Sequence, residues 1–389
     1  MFTAINRLRN PLRLVLALAL ATFVSACQVG LPVGAAGPRV SGQVVEVAML
    51  LPYGSAQGGD ELVARSLENA ARLAVSEMQG VTINLTIYNT GGQSAQAASV
   101  ARQAVAQGAD IIIGPLRSDA AAAVGVAVAG SNINVLSFSN NTEIAGGNVF
   151  VLGHTFANTS RRIVSYAAGQ GRNRLLVLYS QNLAGEVARD AVAAAAAGSG
   201  ATVVSNIPYE FSQAGVVNVV SQVARQARSA DANGIILTSD AAGALPLLAQ
   251  LLPENGLDTE AVRMIGLARW DTPPQTLELS GLQGGWFALP DPMAAARFNA
   301  RYQAAYGTAP HVLAALAYDA VLAIAETTRT RGQLGAADLT ASSGFDGANG
   351  VFRLRTDGTN ERAMAIAQVI DNRVALIDPA PRRLGAAGF

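Results

Sequence analysis

Residues 109–129 read ADIIIGPLRSDAAAAVGVAVA. The apolar run ADIIIGPL (109–116) predicts a strand, and the Ala-rich stretch 119–129 predicts a helix. Nearly continuous apolarity in such a run fits a strand covered on both faces, as in a parallel sheet flanked by helices. The same alternation extends in both directions. Upstream, VVEVAMLLP (44–52) reads as a buried strand, ELVARSLENAARLAVSEM (61–78) as an amphipathic helix and INLTIYNT (83–90) as a second strand. A helix from Ser94 to about Gln107 follows, and INVLSFS (133–139) is a fourth strand. Strands separated by helices of this length imply βαβ units.

The pattern then restarts. RLLVLYS (174–180) opens a second series with strands at 201–209, 232–239, 262–267 and 284–290 and helices over 184–197, 213–229 and 241–251. A long helix is predicted over 311–328. Residues 345–377 read as strands joined by turns, with Thr356-Asp357-Gly358 as a hairpin-type turn. The fold class is therefore α/β, with two doubly wound parallel-sheet lobes and a cleft between them. Ligands on such sheets collect at the carboxyl ends of the strands. Here those ends fall near Pro52, Asn89, Pro115, Ser139, Ser180, Tyr209, Ser239 and Ala268.

The N-terminus has a cationic stretch (Arg7, Arg9, Arg13) and an apolar run from Leu14 to Val24 that ends at Val24-Ser25-Ala26-Cys27. This is the layout of an export signal over residues 1–26. The run is too short for a comfortable membrane span, which needs about 20 apolar residues. Val24-Ser25-Ala26-Cys27 resembles the lipobox read by lipoprotein signal peptidase. Cys27 is then the lipidated first mature residue and the membrane anchor. It is also the single cysteine of the chain, so no intrachain disulfide can form. Gln28 after the cysteine points to the outer membrane, facing the periplasm. Residues 28–43, rich in Gly and Pro, read as a tether reaching at most about 55 Å.

Charge excludes several functions. The chain has 27 basic and 27 acidic residues, so nucleic-acid binding has no basic excess to rest on. Every basic residue is Arg. That rules out a Walker-type phosphate loop, a Schiff-base lysine and a Ser-Lys dyad. His154 and His311 are the two histidines, in no metal-type spacing, and no G-x-S-x-G marks a nucleophile elbow. The expectation is a non-enzyme with no cofactor, with His154 in a crossover and His311 at a helix start. Asp346, Asp357 and Glu361 read as turn and cap residues. Gly54, Gly58 and Gly59 with Ser55 form a flexible cleft-side loop or an anion cradle. Ser139-Asn140-Asn141 is the best polar cluster after a strand, and Trp270 sits at a strand end where it can stack on a ligand.

VAMLLPYGS (47–55), GADIIIGPLRSDAAAAV (108–124), INVLSFSNN (133–141) and FDGANGVFRLRTDG (345–358) together resemble the type I periplasmic-binding-protein superfamily, the leucine-binding-protein-like proteins. The resemblance covers residues 44–378 and implies two flavodoxin-like lobes joined by crossovers near 150–156, 286–292 and 346–351. Lobe one is then about 44–152 plus 291–345, lobe two about 153–290 plus 346–378, and 379–389 is a tail. Within the superfamily, GPLRSDAA, VLSFSNNTEIAGGNVFVLG (135–153) and RRIVSYAAGQG (161–171) look most like the penicillin-binding protein activator lipoproteins. That resemblance implies a bifunctional penicillin-binding protein, a peptidoglycan synthase, as partner. The better-known members carry a helical-repeat domain ahead of this one, where this sequence has a short tether.

The alternative is a substrate-binding lipoprotein of an ABC importer for an amino acid or other small solute. By that resemblance Ser118, Ser139 and Asn141 of lobe one would hold a ligand carboxylate, and Tyr209 would act from lobe two. The acidic residue expected to hold an ammonium is missing: Gly243 or a neighbouring Ala falls there, with Asp240 several residues early.

Overall fold

The computed structural model describes residues 44–385. The leader, Cys27, the tether and the last four residues lie outside that span.

The first strand shows how the layers arise. In β1 (Val44–Leu51), Val45, Val47, Met49 and Leu51 point into one core, and Ala48 and Leu50 into another on the opposite face. Side chains alternate across a strand, so a continuous apolar run covers both faces of a sheet. Helix α1 (Asp60–Glu77), β2 (Thr82–Asn89), α2 (Ser94–Ala106), β3 (Ile111–Ile113), α3 (Ser118–Val128), β4 (Asn134–Ser137) and β5 (Val149–Val151) follow. Their strands make a parallel sheet in the order β2-β1-β3-β4-β5. The order reverses between β1 and β3, and the crevice beyond their carboxyl ends is where such sheets bind ligands.

The second lobe repeats the plan. Helix α4 (Phe156–Gly169), β6 (Arg174–Ser180), α5 (Leu183–Ala197), β7 (Thr202–Tyr209), α6 (Gln213–Ser229), β8 (Gly234–Leu237), α7 (Leu245–Glu254), β9 (Arg263–Gly266) and β10 (Trp286–Pro290) come in sequence. In β6, Leu176 and Leu178 face one core and Leu175, Val177 and Tyr179 the other. The chain then returns to the first lobe as α8 (Pro292–Tyr306), α9 (Ala314–Arg331) and the short α10 (Ala336–Leu339). Strands β11 (Phe345–Gly347), β12 (Gly350–Leu354) and β13 (Asn360–Arg362) form a small antiparallel sheet. Finally β14 (Met364–Ile370) and β15 (Arg373–Asp378) join the second lobe, completing the order β15-β14-β10-β9-β8-β6-β7. The structure is thus α/β, with two doubly wound sheets. Strand β5 and helices α4 and α8 go beyond the elements predicted from sequence.

One crossing lies elsewhere than the sequence reading puts it. The chain leaves the first lobe through residues 152–155 and returns at Asp291, between β10 and α8. The last crossing is at Ala363, between β13 and β14, and not at 346–351. Phe345, Phe352 and Leu354 are buried in the first lobe's core, with the two Phe rings 5.2 Å apart, whereas β14 pairs antiparallel with β10. Apolar burial therefore assigns the small sheet to the first lobe.

The crossings are knitted by buried polar groups. Asn360 donates to the carbonyls of Val151 (2.8 Å) and Gly153 (2.9 Å), and its side-chain oxygen accepts from Asn158 (2.8 Å). Arg362 donates to the Leu152 carbonyl (3.0 Å) and pairs with Asp319 (2.7 Å). Glu361, expected as a turn or cap residue, is instead fully buried, 2.6 Å from Arg353, 3.5 Å from Arg161 and 3.6 Å from Arg355. A carboxylate withdrawn from water needs such partners, since an unpaired buried charge is strongly disfavoured. Asp357 does sit in a turn, accepting from the Thr359 amide (2.9 Å) and hydroxyl (2.6 Å).

Candidate functional site

The carboxyl end of β4 is a relay of turns. Ser137 donates its hydroxyl to the Pro115 carbonyl (3.0 Å) and accepts from the Ser139 amide (3.1 Å). The Ser139 hydroxyl oxygen accepts from the Asn141 amide (3.1 Å), and the Asn141 side-chain oxygen accepts from the Glu143 amide (3.0 Å), starting a 3₁₀ turn at Thr142. Short polar side chains close such turns on the backbone two residues ahead. Each of the oxygens at 139 and 141 thereby uses one of its two lone pairs. The Ser139 hydroxyl proton and the Asn141 amide protons remain to donate.

Those donors border a cavity of about 660 Å³ at the switch between β1 and β3, shared by Arg117, Ser118, Ser139, Asn140, Asn141 and His154. Its lining comes from the first lobe and from Gly153 and His154 of the first crossing. Gly114, directly after β3, packs against β1 behind this wall. At φ +84° a side chain is strained, and a Cβ there would meet the Leu50 carbonyl oxygen. Arg117 donates to Asp60 (2.7 Å) and Gln57 (2.5 Å). Burial pushes the Asp60 carboxyl up, but the Ser55 hydroxyl and the Arg117 guanidinium outweigh it and hold the group below the usual carboxylate range. Ser55 is half-buried in that loop, accepting from the Gln57 amide (3.1 Å), so it braces Asp60 and is absent from the cavity wall. Asp119, at the rim, accepts from the Ser94 hydroxyl (2.7 Å), which holds it below its ordinary value.

A second cavity, of about 380 Å³, shares Asn140 and Asn141 with the first and opens toward the second lobe. Phe156, Leu183, Ala184 and Val187 line that side. Leu183 is the first residue of α5, behind the Asn182 cap, and is 64% exposed.

The other expected second-lobe residues are not at these walls. Tyr209 is 3% exposed, packed into the core beside Val216 and Leu237. Its hydroxyl, near those of Ser180 and Ser239, lacks a hydrogen bond of good geometry, and burial pushes its pKa up. Asp240 is exposed, and its carboxylate accepts from the Gly243 amide (2.8 Å), closing its own turn. Trp270 is fully buried, with its ring 5.8 Å from Phe287. The expected stacking position is therefore corrected: Trp270 fills space that Gly266 and Gly285 leave open, where a Cβ would meet the indole at 2.3 and 2.6 Å.

His154 is the group the sequence reading placed in a crossover without giving it a site. Both ring nitrogens are buried without a partner at the cavity floor. Burial, then the nearby Arg362 and Arg269 guanidinium groups, hold its pKa down to about 3. The unfolded imidazole titrates near 6.5, so between the two values the unfolded chain binds the proton and the folded one does not. Stability attributable to His154 is thus complete above about pH 6.5 and declines toward pH 3, by at most about 1.4 kcal/mol per pH unit. Urea unfolding of His154→Gln at pH 7 and pH 4.5 should show a smaller acid loss than the parent chain. Equal losses would rule this assignment out.

Among the described residues no helix is long and apolar enough to cross a membrane, and no group of three or more His, Cys, Asp or Glu could hold a metal ion. The sequence profile of the periplasmic binding protein family matches residues 44–373. The chain belongs to that family. Among similar solved structures of periplasmic binding proteins is a branched-chain amino acid ABC transporter ligand-binding protein from Burkholderia xenovorans. It is 18% identical, with a TM-score of 0.68 over 88% of this chain and 94% of that one. A substrate-binding protein from Desulfitobacterium hafniense in complex with Leu is 19% identical, with a TM-score of 0.63 over 86% of this chain and all of that one. Identities this low bear on the fold alone. An uncharacterized protein of Rickettsia prowazekii is 24% identical over 236 residues, which are 58% of this periplasmic binding protein and 61% of that relative.

Proposed function

We propose that this binding protein captures a small organic solute in the cleft and hands it to an ABC importer, acting outside the cytoplasm and without catalysis. The observation that carries this reading is the cavity at the β1/β3 switch, which the Ser139 hydroxyl proton and the Asn141 amide protons border as donors. Such a wall receives an acceptor group, a carboxylate above all. The family membership and the ligand-binding neighbours support the same reading. Cys27 would tether the domain to its membrane.

Thermal shifts and native mass spectrometry of the mature chain test it. A ligand at about 100 times its Kd stabilises by about 2.7 kcal/mol. Ser139→Ala, which removes a hydrogen bond to a charged group, should weaken binding by roughly tenfold or more, since such bonds contribute about 1.5–3 kcal/mol. No copurifying ligand and no stabilisation by any of a broad metabolite panel would sink the proposal.

A second reading rests on the missing acid where an amino-acid ammonium would need one: Asp240, several residues early, is exposed and accepts from the Gly243 amide in its own turn. The domain then acts through a protein, a bifunctional peptidoglycan synthase, as the resemblance of GPLRSDAA and SFSNN to activator lipoproteins implies. It predicts an empty cleft together with micromolar binding to such a synthase and faster glycan polymerisation.

A further inference from the structure

The two large sheets end in the outer strands β2, β5, β7 and β15, and all but β2 are blunted. Strand β5 is three residues long, and its Val151 amide donates to the Gly358 carbonyl (2.9 Å). Strand β7 contains Pro208 and a break in register opposite Leu175 and Leu176. Strand β15 begins with Arg373, ends with Asp378 and shifts register opposite Ile366 and Ala367. Short length, proline, bulges and charge are the devices that keep sheet edges from pairing with other chains. Strand β2 has none of them. Its eight residues, Thr82-Ile83-Asn84-Leu85-Thr86-Ile87-Tyr88-Asn89, include no charge, no proline and no glycine, and they pair with β1 in unbroken register.

Alternation fixes what this edge presents. The Thr90 amide donates to the Leu51 carbonyl (2.8 Å), so the even-numbered residues of β2 turn their backbone groups to β1. Ile83, Leu85 and Ile87 therefore point their N–H and C=O groups away from β1, where the described residues supply no further strand. Their side chains lie on the face of the core that α1 covers, Ile83 buried, and Leu85 and Ile87 half-buried. Thr82, Asn84 and Thr86 are exposed on the opposite face.

We propose that two copies of this protein pair antiparallel through β2, joining their first-lobe sheets into one continuous sheet. A two-fold axis perpendicular to the sheet keeps each side chain on its own face, so even-numbered residues meet even-numbered ones and odd meet odd. Centred on Leu85, the pairing sets Leu85 against its own copy, Ile83 against Ile87, Asn84 against Thr86 and Thr82 against Tyr88. Apolar residues meet apolar ones on one face, hydroxyls and amides meet on the other, and no like charges are opposed. A centre at Thr86 would instead set the buried Ile83 against Asn89. The outward backbone groups of Ile83, Leu85 and Ile87 close on one another as the ladder between the copies. This pairing is independent of what the cleft binds.

Sedimentation velocity of residues 27–389 carrying Cys27→Ser tests the pairing. The average mass should rise toward that of two chains as concentration increases from about 1 to about 300 µM, the behaviour of a small, weak interface. Thr86→Lys places a charge at the middle of the edge, and should raise the midpoint of that rise about tenfold or more. Its urea midpoint should match the parent, because the Thr86 side chain is exposed. Mixing Asn84→Cys chains with Thr86→Cys chains under mild oxidation should give a disulfide-linked pair. Opposed residues of this kind have Cα atoms about 4.5 Å apart, within the reach of a disulfide. Each cysteine variant alone should give much less. A mass that stays that of one chain throughout overturns the proposal, as does a dimer indifferent to Thr86→Lys. So does a chain that dimerises only when residues 28–43 are removed, because the tether is then what covers β2.

Discussion

Arg362→Met is expected to destabilise the folded chain by about 3–5 kcal/mol, the cost of breaking a buried ion pair by removing one partner. Arg362 is 2% exposed and Asp319 is fully buried, in the middle of a helix, α9, that is apolar almost all round. Asp319 is held by the guanidinium at 2.7 Å and by the Ala348 amide at 2.7 Å. Burial pushes its carboxyl up, and the Arg362 charge opposes this. The same guanidinium lies 4.7 Å from the centre of the Phe352 ring.

Without Arg362, Asp319 would remain in the core as an unpaired charge or take a proton. Its folded-state pKa would then stand further above the unfolded value near 3.9, so the deficit grows as pH rises above about 4 and shrinks at acid pH. Urea unfolding at pH 7 and pH 4.5 measures both the loss and its sign. The double variant Arg362→Met with Asp319→Asn should recover much of the loss, because Asn keeps the bond from Ala348 and removes the charge. A double variant as unstable as Arg362→Met would show that the lost Leu152 and Phe352 contacts, not the stranded carboxylate, dominate.

Trp270→Ala should cost a similar amount, about 3–5 kcal/mol, as expected for emptying a large aromatic site in a core. The indole has no exposed surface and fits against two glycines whose Cβ atoms could not coexist with it. Gly266→Ala should therefore also be strongly destabilising, from the opposite direction: it overfills what Trp270→Ala empties. Chemical denaturation gives both values. Ligand affinity of folded Trp270→Ala should match the parent. A variant that keeps its stability and loses ligand binding would restore the stacking role the sequence suggested.

Both predictions fall where sequence and structure part. Trp270 follows a strand end, the place where a ring can reach a ligand, and nothing local marks it as turned inward. What turns it is the absence of side chains at Gly266 and Gly285, the second of which is fifteen residues away and comes into contact through the β9–β10 pairing. Leu183 has a weak local signal, a lone Leu opening a helix directly behind an Asn cap. Its role as a cleft wall depends on facing Asn140 and Asn141 from another lobe. Ser118, Ser139, Asn140 and Asn141 were legible because strand ends in a doubly wound sheet are ligand positions by topology, and the structure gathers them in one cavity.

The sequence by itself determined the two βα series, because alternation along a strand and helical spacing are local properties of the chain and need no partner to be read. Tertiary structure alone decided which charges are buried. Asp319, Glu361 and Arg362 look like ordinary surface residues in the sequence and become the polar core of the crossings. It also decided that the last crossing is at Ala363, since the burial of Phe345 and Phe352 against the first lobe outweighs their nearness in sequence to β14. The burial of Asp319 depends on Arg362, 43 positions away, and no local pattern encodes such a pair.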